Sequence, residues 1–72
     1  MKKIYKLEEL DCANCAAKME RAIAALDGVE HVAISFMTSR LTIEADESRL
    51  EEILQQAERC IRKIEPDCRI VR

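Results

Sequence analysis

Aromatic side chains are nearly absent from this chain: Tyr5 and Phe36 are its only two, and it has no tryptophan. Acidic and basic residues are interspersed around a net charge of −2. Together these argue against a nucleic-acid partner, which selects a basic face and aromatic stacking platforms. One glycine and one proline leave little room for linkers, and no low-complexity segment or internal repeat interrupts the sequence. With no glycine-rich loop to cradle a phosphate, no ATP hydrolysis is expected of these residues. No apolar run approaches the roughly 20 residues of a membrane span. The start, Met1-Lys2-Lys3-Ile4-Tyr5-Lys6, is charged again too soon for a signal peptide. Direct membrane insertion is therefore not expected, and a reducing, cytoplasmic setting is.

What is present suits one small globular domain over residues 1–72. A content of 49% hydrophobic and 36% charged residues is that of a folding chain rather than a disordered one. A domain this short buries only roughly 60% of its unfolded surface, so its stability should be modest. Four cysteines in 72 residues would suit a secreted disulfide framework, but without a secretory context they point to metal or redox chemistry.

Hydrophobic periodicity divides the chain into six elements. Lys3 to Leu10 alternates as a strand, with Tyr5 and Leu7 on one face and Leu10 expected to plug the loop that follows. From Ala13 to Leu26 the period becomes helical, with Ala16, Met19, Ile23 and Leu26 in one stripe. Asp11 or Asn14 is placed to cap that helix, and Asp27-Gly28 to stop it. Val29 to Phe36 alternates again, Met37 to Arg40 reads as a turn, and Leu41, Ile43 and Ala45 form the return strand. His31, the lone histidine, reads as a solvated strand residue, and Met19 and Met37 as packing. Asp46 to Ser48 opens a second helix, with Ser48 the expected N-cap, and Leu50, Ile53, Leu54, Ala57, Ile61 and Ile64 as its stripe. Pro66 stops it, and Cys68 to Val71 is a short last strand.

Strand, helix, strand, strand, helix, strand has a standard compact solution. It is an α+β, ferredoxin-like βαββαβ sandwich, a four-stranded antiparallel sheet with two helices on one face. Tracing the chain directions brings the Cys12–Cys15 loop, the Met37–Arg40 turn and the Glu65–Asp67 connection to one end.

That loop carries the chemistry. Leu10-Asp11-Cys12-Ala13-Asn14-Cys15 sets two thiols and a carboxylate at a helix start, where unpaired N–H groups favour thiolate over thiol. A Cys-x-x-Cys pair closes on one soft ion. Three readings of it stand: an open transfer-type metal site, a dithiol redox centre, and a closed structural zinc site drawing on Cys60 and Cys68. Asp11 can be a ligand, a cap, or both. Its oxygen favours Zn(II), Cd(II) or Pb(II), whereas Cu(I) is satisfied by two thiolates. Cys60, beside the apolar stripe, reads as a buried structural thiol. Cys68, at the same end as the pair, is either a buried thiol or a third soft ligand.

The run Leu10-Asp11-Cys12-Ala13-Asn14-Cys15-Ala16-Ala17-Lys18 resembles the heavy-metal-associated domain, and more narrowly the N-terminal domain of P-type ATPases that export Zn, Cd and Pb. The likeness extends over essentially the whole chain, including Asp27-Gly28-Val29 and Ile64-Glu65-Pro66-Asp67. It implies Cys12 and Cys15 as ligands with Asp11 assisting, and as partners a metal ion and the membrane and cytosolic domains of a pump. Copper-handling relatives usually carry Met, one residue and then the first Cys. The chain departs from the family in three places. Glu9 stands where glycine is common, Pro66-Asp67 where a lysine or an aromatic lies near the metal, and Cys68 where the strand is usually apolar. The expected function is a binding module for a soft divalent ion, working by ligand exchange. The alternatives are a free-standing metallochaperone, with copper as its metal, and a small dithiol oxidoreductase.

Overall fold

The two periodicities become four strands and two helices in the computed structural model, which describes residues 1–71. In order these are β1 (Lys2–Glu8), α1 (Ala13–Ala24), β2 (Val29–Ser35), β3 (Arg40–Ala45), a 3-10 turn at Glu47–Arg49, α2 (Leu50–Ile64) and β4 (Arg69–Val71). The sheet runs β2-β3-β1-β4, and every pairing is antiparallel. This is the expected ferredoxin-like βαββαβ sandwich.

Alternation along the strands decides which side chains meet the helices. Leu7, Val32, Leu41, Ile43, Ala45 and Ile70 are buried on the inner face, whereas Ile4 on the outer face is 57% exposed. Ala16, Met19 and Ile23 from α1, and Leu50, Ile53, Leu54, Ala57 and Ile61 from α2, complete one core. Burying each larger member stabilises the fold by about 1.5–3 kcal/mol. Among the described residues, no helix is long and apolar enough to cross a membrane.

The elements differ from expectation at their ends. α1 stops at Ala24 rather than Leu26 because the Leu26 N–H turns back to the Ile23 carbonyl (3.0 Å). Gly28 then reverses the chain at φ +93°, and a Cβ there would lie 2.8 Å from Arg49 Nη1. A side chain at this position is strained by the positive φ, and its Cβ would also crowd Arg49 and Ile53 Cδ1. The β2–β3 turn spans residues 36–39, so Arg40 already belongs to β3. Cys68 precedes β4, its N–H donating to the Glu65 carbonyl (3.0 Å). Ser48 does not cap the second helix; its N–H and hydroxyl both donate to Asp46 Oδ1, at 3.2 and 3.1 Å. Asp46 reaches these donors from its extended backbone, whereas Ser48 already lies inside the 3-10 turn.

Candidate metal centre

β1 delivers the chain to the site and two loops enclose it. The Leu7 N–H donates to the Ser39 carbonyl (2.7 Å), tying the β2–β3 turn to the end of β1. Glu8 pairs in register with Arg69, reinforced by a 3.1 Å contact between Glu8 Oε1 and Arg69 Nε. The Cys12–Cys15 loop, the turn and the connection into β4 therefore share one end, as the directions of the elements required. Glu9 makes the bend with φ +60°, a left-handed conformation that costs a side chain roughly 1–2 kcal/mol. Glycine in family members would escape that cost. Leu10 is buried as the expected plug, and Asp11 is exposed.

Cys12 is the N-cap of α1. Its backbone is extended (φ −135°, ψ 119°), and its Sγ accepts the Cys15 N–H at 3.2 Å. The expectation that Asp11 or Asn14 would cap the helix is thus corrected. A cap is extended and accepts an N–H two or three residues on, and it is Cys12, three before Cys15, that does so. The sulfur takes the place that serine or aspartate holds in most helices.

The two thiols differ in how readily they lose a proton. Cys12 is held below the ordinary thiol value, first because the Cys15 thiol donates to its sulfur and then because the Cys15 N–H does. Cys15 is pushed up to about 11 by the same hydrogen bond, with burial and the Cys12 charge adding to it. The Lys18 ammonium works against this, favouring the Cys15 thiolate. Cys12 thus ionises more readily than Cys15, at the positive end of a helix.

Glu65 was not singled out from the sequence. It is half-buried, and its charge opposes ionisation of Cys12, Cys15 and Cys68 alike. The signal was Pro66, which disfavours helical backbone in the residue before it. Glu65 is accordingly extended at the C-cap of α2 (φ −134°, ψ 97°), its N–H bound to the Ile61 carbonyl at 2.8 Å. Cys68 is fully buried and pushed up to about 11, first by burial and then by the charges of Glu65, Asp11 and Glu9. Cys60 is half-buried against the core, and His31 is exposed.

Among the described residues, no three His, Cys, Asp or Glu side chains are arranged to hold a metal ion together. Asp11 and Cys68 are therefore not assembled with the Cys12–Cys15 pair into a ready three- or four-ligand cage, nor does Cys60 join them. What the fold presents is a two-thiol pair with carboxylates around it. Two thiolates suit a soft ion, and few protein donors leave its coordination open to exchange.

A family model of the heavy-metal-associated domain matches residues 4–65. The cadmium, zinc and cobalt-transporting ATPase of Bacillus subtilis (strain 168) is 33% identical over 66 residues, covering 92% of this chain and 9% of that protein. The zinc/cadmium/lead-transporting P-type ATPase of Escherichia coli (strain K12) is 39% identical over 56 residues, covering 74% and 8%. The chain thus spans less than a tenth of the length of these curated relatives. Among solved structures, the apo-form N-terminal domain of ZntA superposes with a TM-score of 0.73 at 32% identity, covering 99% of this chain and 92% of that one. The CopZ metallochaperone superposes at 0.75 with 20% identity, over 99% and 100%, a likeness of fold. Matched over most of its length by the family model, this chain belongs to the heavy-metal-associated domain family.

Proposed function

We propose that this domain binds a soft divalent ion, Zn(II), Cd(II) or Pb(II), through Cys12 and Cys15 and passes it on by ligand exchange. The observation that carries this reading is the sulfur cap: Cys12 Sγ holds the helix N-terminus where an ordinary helix places an oxygen. A metal arriving there meets a thiolate stabilised by the helix, then displaces the proton of Cys15. An incoming partner thiolate enters before the first ones leave, which a closed four-ligand site resists.

The carboxylates decide the charge class. Glu65 acts on both thiols of the pair, and Asp11 lies next to Cys12 in the chain. Negative charge stabilises a divalent ion more than a monovalent one, and oxygen donors suit Zn(II), Cd(II) and Pb(II) better than Cu(I). The names of the ATPase relatives agree. In this reading the domain is the cytosolic N-terminal region of a metal-translocating P-type ATPase. ATP hydrolysis and translocation belong to other domains of that pump, and the 72 residues are a binding module without enzymatic activity. Asp11 assists the pair, and Cys68 joins only for a large soft ion that opens the loop above it.

Competitive Zn(II) and Cu(I) titrations of wild type and Asp11→Ala under reducing conditions test this. Zn(II) affinity should fall about tenfold or more, with Cu(I) nearly unchanged. Equal Zn(II) affinities alongside tight Cu(I) binding would move the reading to a copper carrier. Catalytic insulin reduction by the metal-free chain would move it to an oxidoreductase.

A further inference from the structure

The two edges of the sheet are finished differently. On the β2 edge, Glu20 of α1 reaches across and its Oε2 accepts the Ile34 N–H at 2.8 Å. On the other edge, β4 covers only part of β1. Val71, Ile70 and Arg69 stand opposite Lys6, Leu7 and Glu8, whereas Lys2 to Tyr5 have a paired neighbour on the β3 side alone.

The ladder fixes which backbone groups this leaves open. Met1 and Ala45 exchange two hydrogen bonds, at 2.7 and 3.0 Å, and the Leu7 N–H donates to the Ser39 carbonyl. Odd-numbered residues of β1 therefore bond to β3, and even-numbered ones point the other way. At Lys6 and Glu8 the outward groups meet β4. Lys2 and Ile4 each turn an N–H and a C=O towards the same side, where no strand among the described residues pairs with them.

The side chains around this gap are mainly of one sign. Lys2, Lys3 and Lys6 are exposed, and among the described residues none of the three forms an ion pair. The one carboxylate in register with them is Glu44, opposite Lys2. Ile4, between Lys2 and Lys6 on the outer face, is exposed, as is Val71, which lies diagonal to it. A second copy of the same edge fits badly. Two-fold pairing of Lys2 with Ile4 would set Lys3 against Lys3, and like charges directly opposite destabilise a strand pair.

We propose that the open half of the β1 edge takes an extended, acidic segment of a partner protein as an added strand, antiparallel to β1 and in line with β4. Lys2 and Ile4 offer it two donors and two acceptors. An apolar side chain opposite Ile4 packs on it next to Val71, and carboxylates opposite Lys2 and Lys3 meet their ammonium groups. Lys2 lies about 20 Å along the strand from Glu8, at the end of β1 away from the Cys12–Cys15 loop. The proposal is therefore independent of the metal reading.

The test uses the metal-free chain under reducing conditions and the end-blocked peptide Thr-Ile-Glu-Glu-Thr, with hydrogen exchange of single backbone amides followed by NMR. Without peptide, the Ile4 amide should exchange faster than those of Lys3 and Tyr5, which bond to β3. Saturating peptide should slow Ile4 exchange by about threefold or more, with Lys3 and Tyr5 little changed. The same peptide N-methylated at its isoleucine keeps its charge but pushes a methyl group at the edge, and should not protect Ile4. Lys3→Glu, an exposed change, should weaken binding of the unmodified peptide about two- to tenfold.

Equal binding of the two peptides would mean that lysine charge alone attracts them, and would overturn the proposal, as would no binding at all. Protection of Ile4 that grows with protein concentration in the absence of peptide would assign the edge to a second copy and overturn it equally.

Discussion

The two helices of this domain meet the same requirement at their N-termini and answer it with different chemistry. α2 is entered through carboxylates. Asp46 accepts two hydrogen bonds from Ser48, Glu47 follows in the 3-10 turn, and Glu51 and Glu52 stand in the first helical turn. The Ser48 N–H, then its hydroxyl, hold the Asp46 carboxyl below its usual range. α1 has no acidic residue in its first turn, and its cap is the Cys12 sulfur. A carboxylate at a helix start is a permanent anion at neutral pH; a thiol there exchanges its proton for a metal ion. On the proposed reading, the difference separates a helix end built for stability from one whose positive pole is kept for a metal ion.

Exchanging the two chemistries has the largest expected effect. Cys12→Ser keeps a good cap, so the melting temperature should stay within about 5 °C. Zn(II) affinity, read by chelator competition, should fall at least about 100-fold, because a ligand rather than its support has been lost. If affinity survives, the sulfur cap is structural and the comparison collapses.

The pH dependence sharpens the contrast between the two thiols. Mass-spectrometric alkylation of the metal-free chain should label Cys12 with an inflection below the ordinary 9.0 and Cys15 only towards about 11. The sign for stability follows. The lowered Cys12 value favours the folded state above the unfolded value and ceases to do so once the pH drops below the lowered one. Cys15 and Cys68, both raised to about 11, act oppositely. Their contribution is complete below 9.0 and is lost as the pH climbs towards 11. Denaturant midpoints measured from pH 8 to 11 should therefore fall on the alkaline side, less so in Cys68→Ala.

Breaking the other helix start should affect stability alone. Asp46→Ala removes the cap of the 3-10 turn that leads into α2 and should lower the melting temperature by about 3–8 °C, with Zn(II) affinity unchanged. The smallest effect is expected at Glu9. Glu9→Gly relieves the left-handed backbone but loosens the unfolded chain, so the melting temperature should rise by no more than about 5 °C. A fall in thermal melting would mean that the Glu9 side chain stabilises the loop more than its conformation costs.

Much of the molecule was legible before any coordinates. Period-two runs such as Val32, Ile34 and the Leu41-Ile43-Ala45 series became strands, and the Leu50 to Ile61 stripe became the buried face of α2, because alternation and helical spacing each leave one geometry that buries apolar side chains. Element ends were less legible. Leu26 fits the α1 stripe yet lies beyond the helix, since a local turn towards Gly28 competes with one more helical residue. The caps were misassigned at both helices for one reason: several oxygen-bearing residues lie within reach in sequence, and which one is extended at the right step depends on how the preceding strand ends. Glu65 could have been flagged from the proline after it, but not its proximity to thiols some fifty residues away in sequence.

By itself, then, the sequence determined the element order, the sandwich that follows from it, and a pair of thiols at a helix start. Those depend on interactions between near neighbours and on which side chains avoid water. Only the tertiary structure decided that Cys12 caps the helix, that Cys68 is sealed in the core, and that the charge of Glu65 reaches the thiols. These depend on where chain segments far apart in sequence come together, and electrostatic forces between them act through space rather than along the chain.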